Sequence, residues 1–193
     1  GRIVDASGIP MILVGDSMGH VVLGHDSTIP VTVDDIVNAS AAVVRGTTKP
    51  LIVADMPFLS YQIDAETALR NAARLIQEGG AQAVKLEGGK TVAPIVSRLS
   101  DAGLAVMGHV GLTPQATLTM GGFKTQGRDP TTWPVHVEDA RAVAQAGAFS
   151  LVVEGVVEGI VLSEGGARAT GVVVDGHHAG QAVEGDQHVV GAG

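Results

Sequence analysis

The stretch AQAVKLEGG (residues 81–89) contains the most informative pattern in the chain. Its short apolar run ends in Lys85, Leu86 and Glu87, and two glycines follow at once. Residues two apart in a strand point to the same side of a sheet, so Lys85 and Glu87 share one face while Leu86 packs on the other. The stretch therefore predicts a buried strand that presents an ammonium and a carboxylate at its carboxyl end.

Four further aliphatic runs of similar length occur along the chain, with helix-like segments between them. They are MILVG (11–15), LIVAD (51–55), LAVMGH (104–109) and FSLVVE (149–154). Continuous apolar runs are typical of strands that are buried on both faces. Their alternation with helices predicts right-handed βαβ units and a parallel sheet, either open or closed into a barrel, and periodicity alone does not choose between the two.

Residue types that start and stop helices delimit the segments between these strands. Thr32 and Asp35 form a capping-box pattern, and Asp64 is a candidate N-cap. Glycines mark the ends of the same segments. The predicted helices run from Thr32 to Gly46, from Asp64 to Gly79, from about Pro94 to Gly103 and from about Glu138 to Gly147.

Composition favours one soluble domain and excludes several classes of function. The 193 residues are 45% hydrophobic but only 3% aromatic, which is enough for one substantial aliphatic core. A net charge of −8 disfavours a nucleic-acid groove or an anionic membrane surface. The absence of cysteine excludes disulfides, thiolate metal ligands and a cysteine nucleophile. No apolar stretch approaches the roughly 18 residues of a membrane span, so a cytoplasmic protein is expected.

Ionisable residues stand at the ends of all five predicted strands, and parallel strands bring their carboxyl ends to one side of the fold, where ligands bind. Each residue also has a simpler interpretation. A single strand-end aspartate is more often a helix cap or turn former than a ligand. Ser17 can equally be a turn residue, and His109 can equally be a structural histidine. Convergence of five strands favours a functional site instead. The strand-end residues are Asp16, Asp55, Lys85, Glu87, His109 and Glu154.

Clustered carboxylates at one site repel one another unless a proton or a cation lies among them. With no sulfur ligand in the chain, an all-oxygen set points to a hard cation, and Mg²⁺ fits best. Glu87 would then face the metal, and Lys85 beside it would hold a negatively charged group of the substrate.

Five motifs in order resemble the ketopantoate hydroxymethyltransferase (3-methyl-2-oxobutanoate hydroxymethyltransferase) family. They are GDSMGHVVLGHDSTIPVTVDD (15–35), VADMPFLSYQ (53–62), AVKLEGG (83–89), VMGHVGLTPQ (106–115) and GGFKTQGR (121–128). The resemblance implies a (βα)₈ TIM-type barrel of the phosphoenolpyruvate/pyruvate superfamily kind, a Mg²⁺ site and a role in pantothenate (coenzyme A) biosynthesis. It also implies a homo-oligomer, commonly a decamer.

The reaction implied by the resemblance transfers a hydroxymethyl group from 5,10-methylenetetrahydrofolate to 3-methyl-2-oxobutanoate through a Mg²⁺-stabilised enolate, giving 2-dehydropantoate. Glu154 corresponds to the general base, and His109 is a possible substrate contact. The implied metal-site acids are Asp16, Asp55 and Glu87. The implied keto-acid site consists of Asp16, Ser17, Asp55 and Lys85.

The segment 111–134 is rich in Gly, Thr and Pro, and a long loop of this kind inside a compact domain is usually functional. It would cover the site and exclude water. Its Lys124 and Arg128 could meet the glutamyl tail of folate, although solvated loop charges are the simpler interpretation.

The resemblance covers residues 1–154, the main part of a single barrel, and leaves residues 155–193 as a divergent Gly/Val-rich segment of uncertain structure. Within that segment GIVLS (159–163), GVVVD (171–175) and HVVGAG (188–193) resemble strands. Its three histidines, a conceivable metal tract, are His177, His178 and His188.

The chain ends lead to further expectations. The chain starts at Gly1 in what resembles the end of a helix, so an N-terminal truncation that removes the first barrel strand is expected. With 193 residues against the roughly 250 of such a barrel, an inactive or truncated fragment is one alternative to an active enzyme. A related Mg²⁺-dependent 2-oxo-acid lyase is a second alternative, because strand-end acids serve either chemistry.

Overall fold

The computed structural model describes residues 1–122, 124–157 and 172–175. Within them the strands are β1 (Met11–Val14), β2 (Leu51–Asp55), β3 (Ala83–Glu87), β4 (Val106–Gly111), β5 (Ser150–Glu154) and β6 (Val172–Asp175). The α-helices of the same residues are α1 (Arg2–Ala6), α2 (Met18–Val21), α3 (Val33–Val44), α4 (Ala65–Gln77), α5 (Ala93–Asp101), α6 (Thr117–Met120) and α7 (Trp133–Gln145). Short 3₁₀ turns cover Pro114–Ala116 and Pro130–Thr132.

The chain divides into two compact units. The first unit consists of Gly1–Leu86 and Arg98–Val106, and the second of Glu87–Ser97 and Met107–Gly193. Each unit combines parallel strands with the helices that connect them.

In the first unit, β2 pairs in parallel with β1 on one side and with β3 on the other. Met11 lies opposite Leu51, and Asp55 lies opposite Lys85 at the carboxyl ends of their strands. Helix α3 packs on β1, β2 and α4. The core of this unit is aliphatic, as the composition predicts, and its fully buried side chains include Ile36, Val53, Leu75, Val84 and Leu86.

In the second unit, β5 pairs in parallel with β4 and with β6. The register places Met107 opposite Ser150, Gly111 opposite Glu154, and Glu154 opposite Asp175. Helix α7 packs on β5. The carboxyl end of β5 therefore lies beside the carboxyl end of β4.

In each unit, strands that are neighbours in the sheet are also consecutive in the chain, and all the strand pairs described above are parallel. Strand, helix and next parallel strand is the repeating unit of a TIM-type (βα) barrel. This arrangement confirms the predicted fold class.

Two sequence signals for helix starts are confirmed by hydrogen bonds. The Asp35 N–H donates to Thr32 Oγ1 over 3.2 Å, and the Thr32 N–H donates to Asp35 Oδ2 over 2.9 Å, which completes the capping box of α3. Asp64 Oδ1 accepts the Thr67 N–H over 2.7 Å and caps α4. Local side-chain chemistry therefore sets both boundaries.

The predicted start of the last helix is wrong by five residues. Helix α7 begins at Trp133, not at Glu138, and Pro134 lies in its first turn. Proline is favoured there because the first N–H groups of a helix have no partner within the helix. The sequence interpretation took WP for the end of the loop and missed this signal.

Only part of the C-terminal segment can be compared with the sequence interpretation. Strand β6 falls on GVVVD (171–175), one of the three strand-like stretches. The other two stretches, and with them the three histidines proposed as a metal tract, lie outside the described residues. The domain boundary at residue 154 stays a prediction.

Candidate active site

A buried ion pair joins the carboxyl ends of β2 and β3 in the first unit. The Lys85 ammonium donates to Asp55 Oδ1 over 2.8 Å, and the two side chains are 4% and 3% exposed. Removing two charges from water costs several kcal/mol per ion, of the order that their attraction returns, so a buried pair is weak evidence for a purely stabilising role. Its position at strand ends makes the pair a candidate for function.

Asp16 lies beside this pair and is itself buried. Its backbone N–H donates to Asp55 Oδ2 over 3.4 Å. A Cβ atom added to Gly15 would lie 3.4 Å from the same oxygen and 3.5 Å from Ser17 Oγ, so the turn after β1 passes close to Asp55. The first unit thus brings together Asp16, Asp55 and Lys85, with the exposed Ser17 at the edge of the group.

In the second unit, Glu87 ends β3 and its side chain is 3% exposed. Its Oε2 accepts the backbone N–H of Gln115 over 3.0 Å, and its Oε1 lies 3.4 Å from Nδ1 of His109. Gln115 belongs to the 3₁₀ turn after β4, which begins at Pro114. The first N–H groups of a helical turn lack partners within the turn, so this one is available to a carboxylate.

His109 contacts a second carboxylate through its other ring nitrogen. Its Nε2 lies 3.1 Å from Glu154 Oε2; the imidazole is 2% exposed, and the Glu154 side chain is 23% exposed. A neutral imidazole has one N–H, which can serve only one of the two glutamates, whereas an imidazolium has an N–H for each of them. The second unit therefore links Glu87, His109 and Glu154 in a row, and only the last of them reaches solvent to a substantial degree.

Several sequence candidates lie away from these contacts. Lys124 and Arg128 are both exposed, in the segment between β4 and α7. His20 is exposed in α2, and its Nδ1 lies 3.1 Å from the backbone oxygen of His25. His25 is exposed as well.

The sequence interpretation did not predict that Gln115 donates to Glu87, because the donor is a backbone N–H, which almost every residue type has. The available signal was the TPQ triplet, in which proline starts a tight helical turn directly after a strand. Such a turn directs free N–H groups toward the strand end.

The chemistry of the described residues suits a hard cation and an anionic ligand. Asp16 and Asp55 in the first unit and Glu87 in the second are buried carboxylates, and oxygen is the ligand that Mg²⁺ prefers. An ammonium can bind a carboxylate, and a glutamate held by an imidazole can accept a proton. In the part of the chain that the structure describes, every helix is too short or too polar to cross a lipid bilayer.

Comparison with solved structures supports the fold. A Burkholderia cenocepacia protein proposed to be a phosphonomutase superposes with a TM-score of 0.68 over 90% of this chain and 72% of that chain. The two sequences are 18% identical, so the likeness concerns the fold alone.

Comparison with curated sequences finds much closer relatives. A 3-methyl-2-oxobutanoate hydroxymethyltransferase of Dehalococcoides mccartyi is 57% identical over 153 residues, 79% of this chain and 55% of that protein. The enzyme of the same name from Geotalea daltonii is 49% identical over 174 residues, 89% of this chain and 65% of that protein. The chain thus spans only a little over half to just under two thirds of the length of these relatives.

A sequence model of one family covers nearly the whole chain. It matches residues 1–191, and so extends beyond residue 154, where the resemblance predicted from the sequence ends. Together with the relatives, this match shows that the chain belongs to the ketopantoate hydroxymethyltransferase family.

Proposed function

We propose that this chain provides the active site of a hydroxymethyltransferase that acts on 3-methyl-2-oxobutanoate and gives 2-dehydropantoate for pantothenate biosynthesis. The one-carbon donor is 5,10-methylenetetrahydrofolate. The observation that carries the proposal is the burial of Asp55, Lys85, Glu87 and His109, each at most 5% exposed, at the carboxyl ends of strands in a member of this family. Ionisable groups are rarely buried at such density without a functional reason.

Asp16, Asp55 and Glu87 are the proposed metal ligands. Lys85 and Glu87 are two apart in β3 and share a face of that strand. All three side chains are carboxylates, which fits Mg²⁺ better than a softer metal. When bound, Mg²⁺ supplies Lewis acidity that stabilises negative charge developing on the keto oxygen of the substrate.

Lys85 and Ser17 are the proposed binding groups for the keto acid. An ammonium offers three N–H donors, and burial strengthens its attraction for an anion because the surrounding dielectric constant is low. Ser17 is exposed at the turn after β1, so its hydroxyl can meet an entering ligand. Together they orient the carboxylate of the substrate.

Glu154 is the proposed general base. Of the row Glu87, His109 and Glu154, it is the member that solvent and ligands can reach, and the 3.1 Å contact with His109 fixes its direction. It removes the C3 proton of the keto acid, and C3 then bonds to the methylene carbon of the donor. The methylene carbon gives up its two bonds to nitrogen, N5 and N10, for one bond to C3 and one to the oxygen of a water molecule. The C3 proton and one proton of the water end on the two nitrogens, so the products are the hydroxymethylated keto acid and tetrahydrofolate. His109 acts on this step by positioning Glu154.

The segment between β4 and α7 is the proposed contact region for folate, with Lys124 and Arg128 meeting its glutamyl tail. Both side chains are exposed and cationic, as recognition of a carboxylate requires. The homo-oligomer and the cytoplasmic location stay predictions.

Exchange of the C3 proton of 3-methyl-2-oxobutanoate with deuterated solvent tests the central step, because it needs the base but no folate. With Mg²⁺ present, NMR should show exchange for the unmutated chain and a loss of about 100-fold or more for Glu154→Gln, the usual contribution of a general base. Glu138→Gln, a surface glutamate on α7, is the matched control and should exchange normally. Turnover with 5,10-methylenetetrahydrofolate, followed as tetrahydrofolate released, then tests the donor.

Near-normal exchange by Glu154→Gln would remove this residue from the mechanism. Absence of exchange by the unmutated chain, when it binds both Mg²⁺ and the keto acid, would contradict the proposed activity of this chain.

A further inference from the structure

The two glycines and the lysine that follow Glu87 are held by contacts that the proposed chemistry does not use. We propose that Asp139, on α7, is a positioning residue that fixes this backbone and thereby holds Glu87 in place for metal binding. The inference rests on the metal-binding role proposed above for Glu87. All residues concerned belong to the second unit.

Asp139 binds the backbone of this turn rather than a side chain. Its Oδ1 accepts the backbone N–H of Lys90 over 2.8 Å. The same carboxylate lies directly over the α-carbon of Gly89, where any Cβ atom would overlap with it. Gly89 is therefore required by the close approach of Asp139, and its own φ angle does not demand glycine.

The first glycine of the pair is held from the opposite direction. The Gly88 N–H donates to the backbone oxygen of His109 over 2.9 Å, and Gly88 adopts a φ of 131°, which favours glycine. A Cβ atom at Gly88 would also lie 2.8 Å from Cγ1 of Val92. The chain leaving Glu87 is thus fastened to β4 at Gly88 and to α7 at Lys90.

Glu87 needs such support because its carboxylate makes directional contacts. The hydrogen bond from the Gln115 N–H to Oε2, with an N···O distance of 3.0 Å, is lost if the carboxylate is displaced, and Oε1 lies 3.4 Å from Nδ1 of His109. Metal-site ligands must be held within about 0.5 Å of their working geometry. Two consecutive glycines give the backbone more freedom than any other pair, so an anchor three residues after Glu87 restricts the motion of that residue.

The neighbouring Glu138 offers a control, because it lies on the same helix as Asp139 and contacts the same partner residue, Lys90. Its Oε2 lies 3.1 Å from the ammonium of Lys90, but the two side chains are 62% and 56% exposed. This surface pair restrains a flexible side chain and leaves the backbone free. Loss of Glu138 should therefore not affect Glu87.

Binding of Mn²⁺ as a probe of the Mg²⁺ site, measured by electron paramagnetic resonance, tests the inference without reference to turnover. Asp139→Ala should weaken Mn²⁺ binding by about tenfold, the low end of the effect of outer-shell groups. Asp139→Asn keeps a side-chain oxygen that accepts the Lys90 N–H, so it should bind Mn²⁺ nearly normally. Glu138→Gln should not differ from the unmutated chain.

Amide hydrogen exchange at Gly88 gives a second, metal-independent readout. Asp139 does not touch the Gly88 amide, which is bonded to His109, so a purely local cap of Lys90 would leave its exchange rate unchanged. Positioning of the whole turn predicts faster exchange at Gly88 in Asp139→Ala. If that variant does not fold, Gly89→Ala, which displaces the carboxylate from the other side, should produce the same two effects.

Two results would overturn the inference, and Glu87→Gln distinguishes them. In the first result, Glu87→Gln loses Mn²⁺ affinity, whereas Asp139→Ala, or Gly89→Ala in its place, keeps both its Mn²⁺ affinity and the protection of the Gly88 amide. The metal-binding role of Glu87 then stands, and the positioning role of Asp139 is wrong. If Glu87→Gln binds Mn²⁺ as tightly as the unmutated chain, the proposed metal site itself is wrong, and the inference falls with it.

Discussion

Replacement of Lys85 by methionine is expected to destabilise the fold by about 3 kcal/mol. Breaking a buried ion pair by removing one partner typically costs 3–5 kcal/mol, because the remaining charge stays in a low-dielectric environment. The low end applies here because the Asp16 N–H, 3.4 Å from Asp55 Oδ2, still donates to the remaining carboxylate. Methionine conserves most of the buried volume, so the change isolates the charge.

Urea unfolding followed by circular dichroism measures this loss as a lower midpoint with an unchanged slope. Lys90→Met is the matched control, since Lys90 also pairs with a carboxylate but is 56% exposed, and exposed pairs contribute at most about 1 kcal/mol. Combining Lys85→Met with Asp55→Asn removes both charges and should recover most of the stability. A cost of Lys85→Met no larger than that of Lys90→Met would refute the reasoning.

Two further predictions concern local backbone features of the first unit. Leu59 has a φ of 62° and a 53% exposed side chain. Leu59→Gly should therefore stabilise the fold by about 0.5 kcal/mol, because the backbone strain that glycine relieves exceeds its greater chain entropy in the unfolded state. Leu59→Ala should not stabilise the fold, and the midpoints of urea unfolding measure both changes. Thr32→Ala removes the capping box of α3 and should cost about 1 kcal/mol at pH 7. Hydrogen bonds from Thr32 lower the pKa of Asp35 from its ordinary 3.8. The stability that these bonds contribute is therefore fully present above about pH 3.8 and is lost as the pH falls through the lowered pKa. The difference between Thr32→Ala and the unmutated chain should therefore shrink in acid, and an undiminished difference would contradict the role of Asp35.

The sequence alone predicts the strands of this fold well because each is a short apolar run that ends in a charge. The stretch LIVAD (51–55) is strand β2 without adjustment, and AQAVKLE (81–87) differs from β3 only by two residues at its start. An aliphatic run flanked by helix signals has few alternatives in a parallel α/β fold. The start of α7 was misplaced because Pro134 admits two interpretations, a loop residue or the first turn of a helix.

The candidate site was predictable at the level of residues but not of contacts. Each strand-end residue was visible as a charge interrupting an apolar pattern, yet nothing in that pattern says that Lys85 pairs with Asp55 or that His109 contacts Glu154. Those pairs depend on the register between strands, which hydrophobic periodicity sets only where one face is polar. The identity of the metal, the folate donor and the oligomer stay predictions for the same kind of reason.

The charges of each unit, taken by themselves, explain why a cation is expected at these strand ends. In the first unit the ammonium of Lys85 contacts Asp55, with a second carboxylate, Asp16, beside the pair. In the second unit the imidazole of His109 lies between Glu87 and Glu154. An excess of buried negative charge is unfavourable, because a carboxylate in low-dielectric surroundings loses its hydration and its neighbours replace only part of that stabilisation. Hydrogen bonds from the backbone N–H groups of Asp16 and Gln115 offset part of that cost without adding charge. A divalent cation with oxygen ligands is the group best suited to neutralise carboxylates at strand ends.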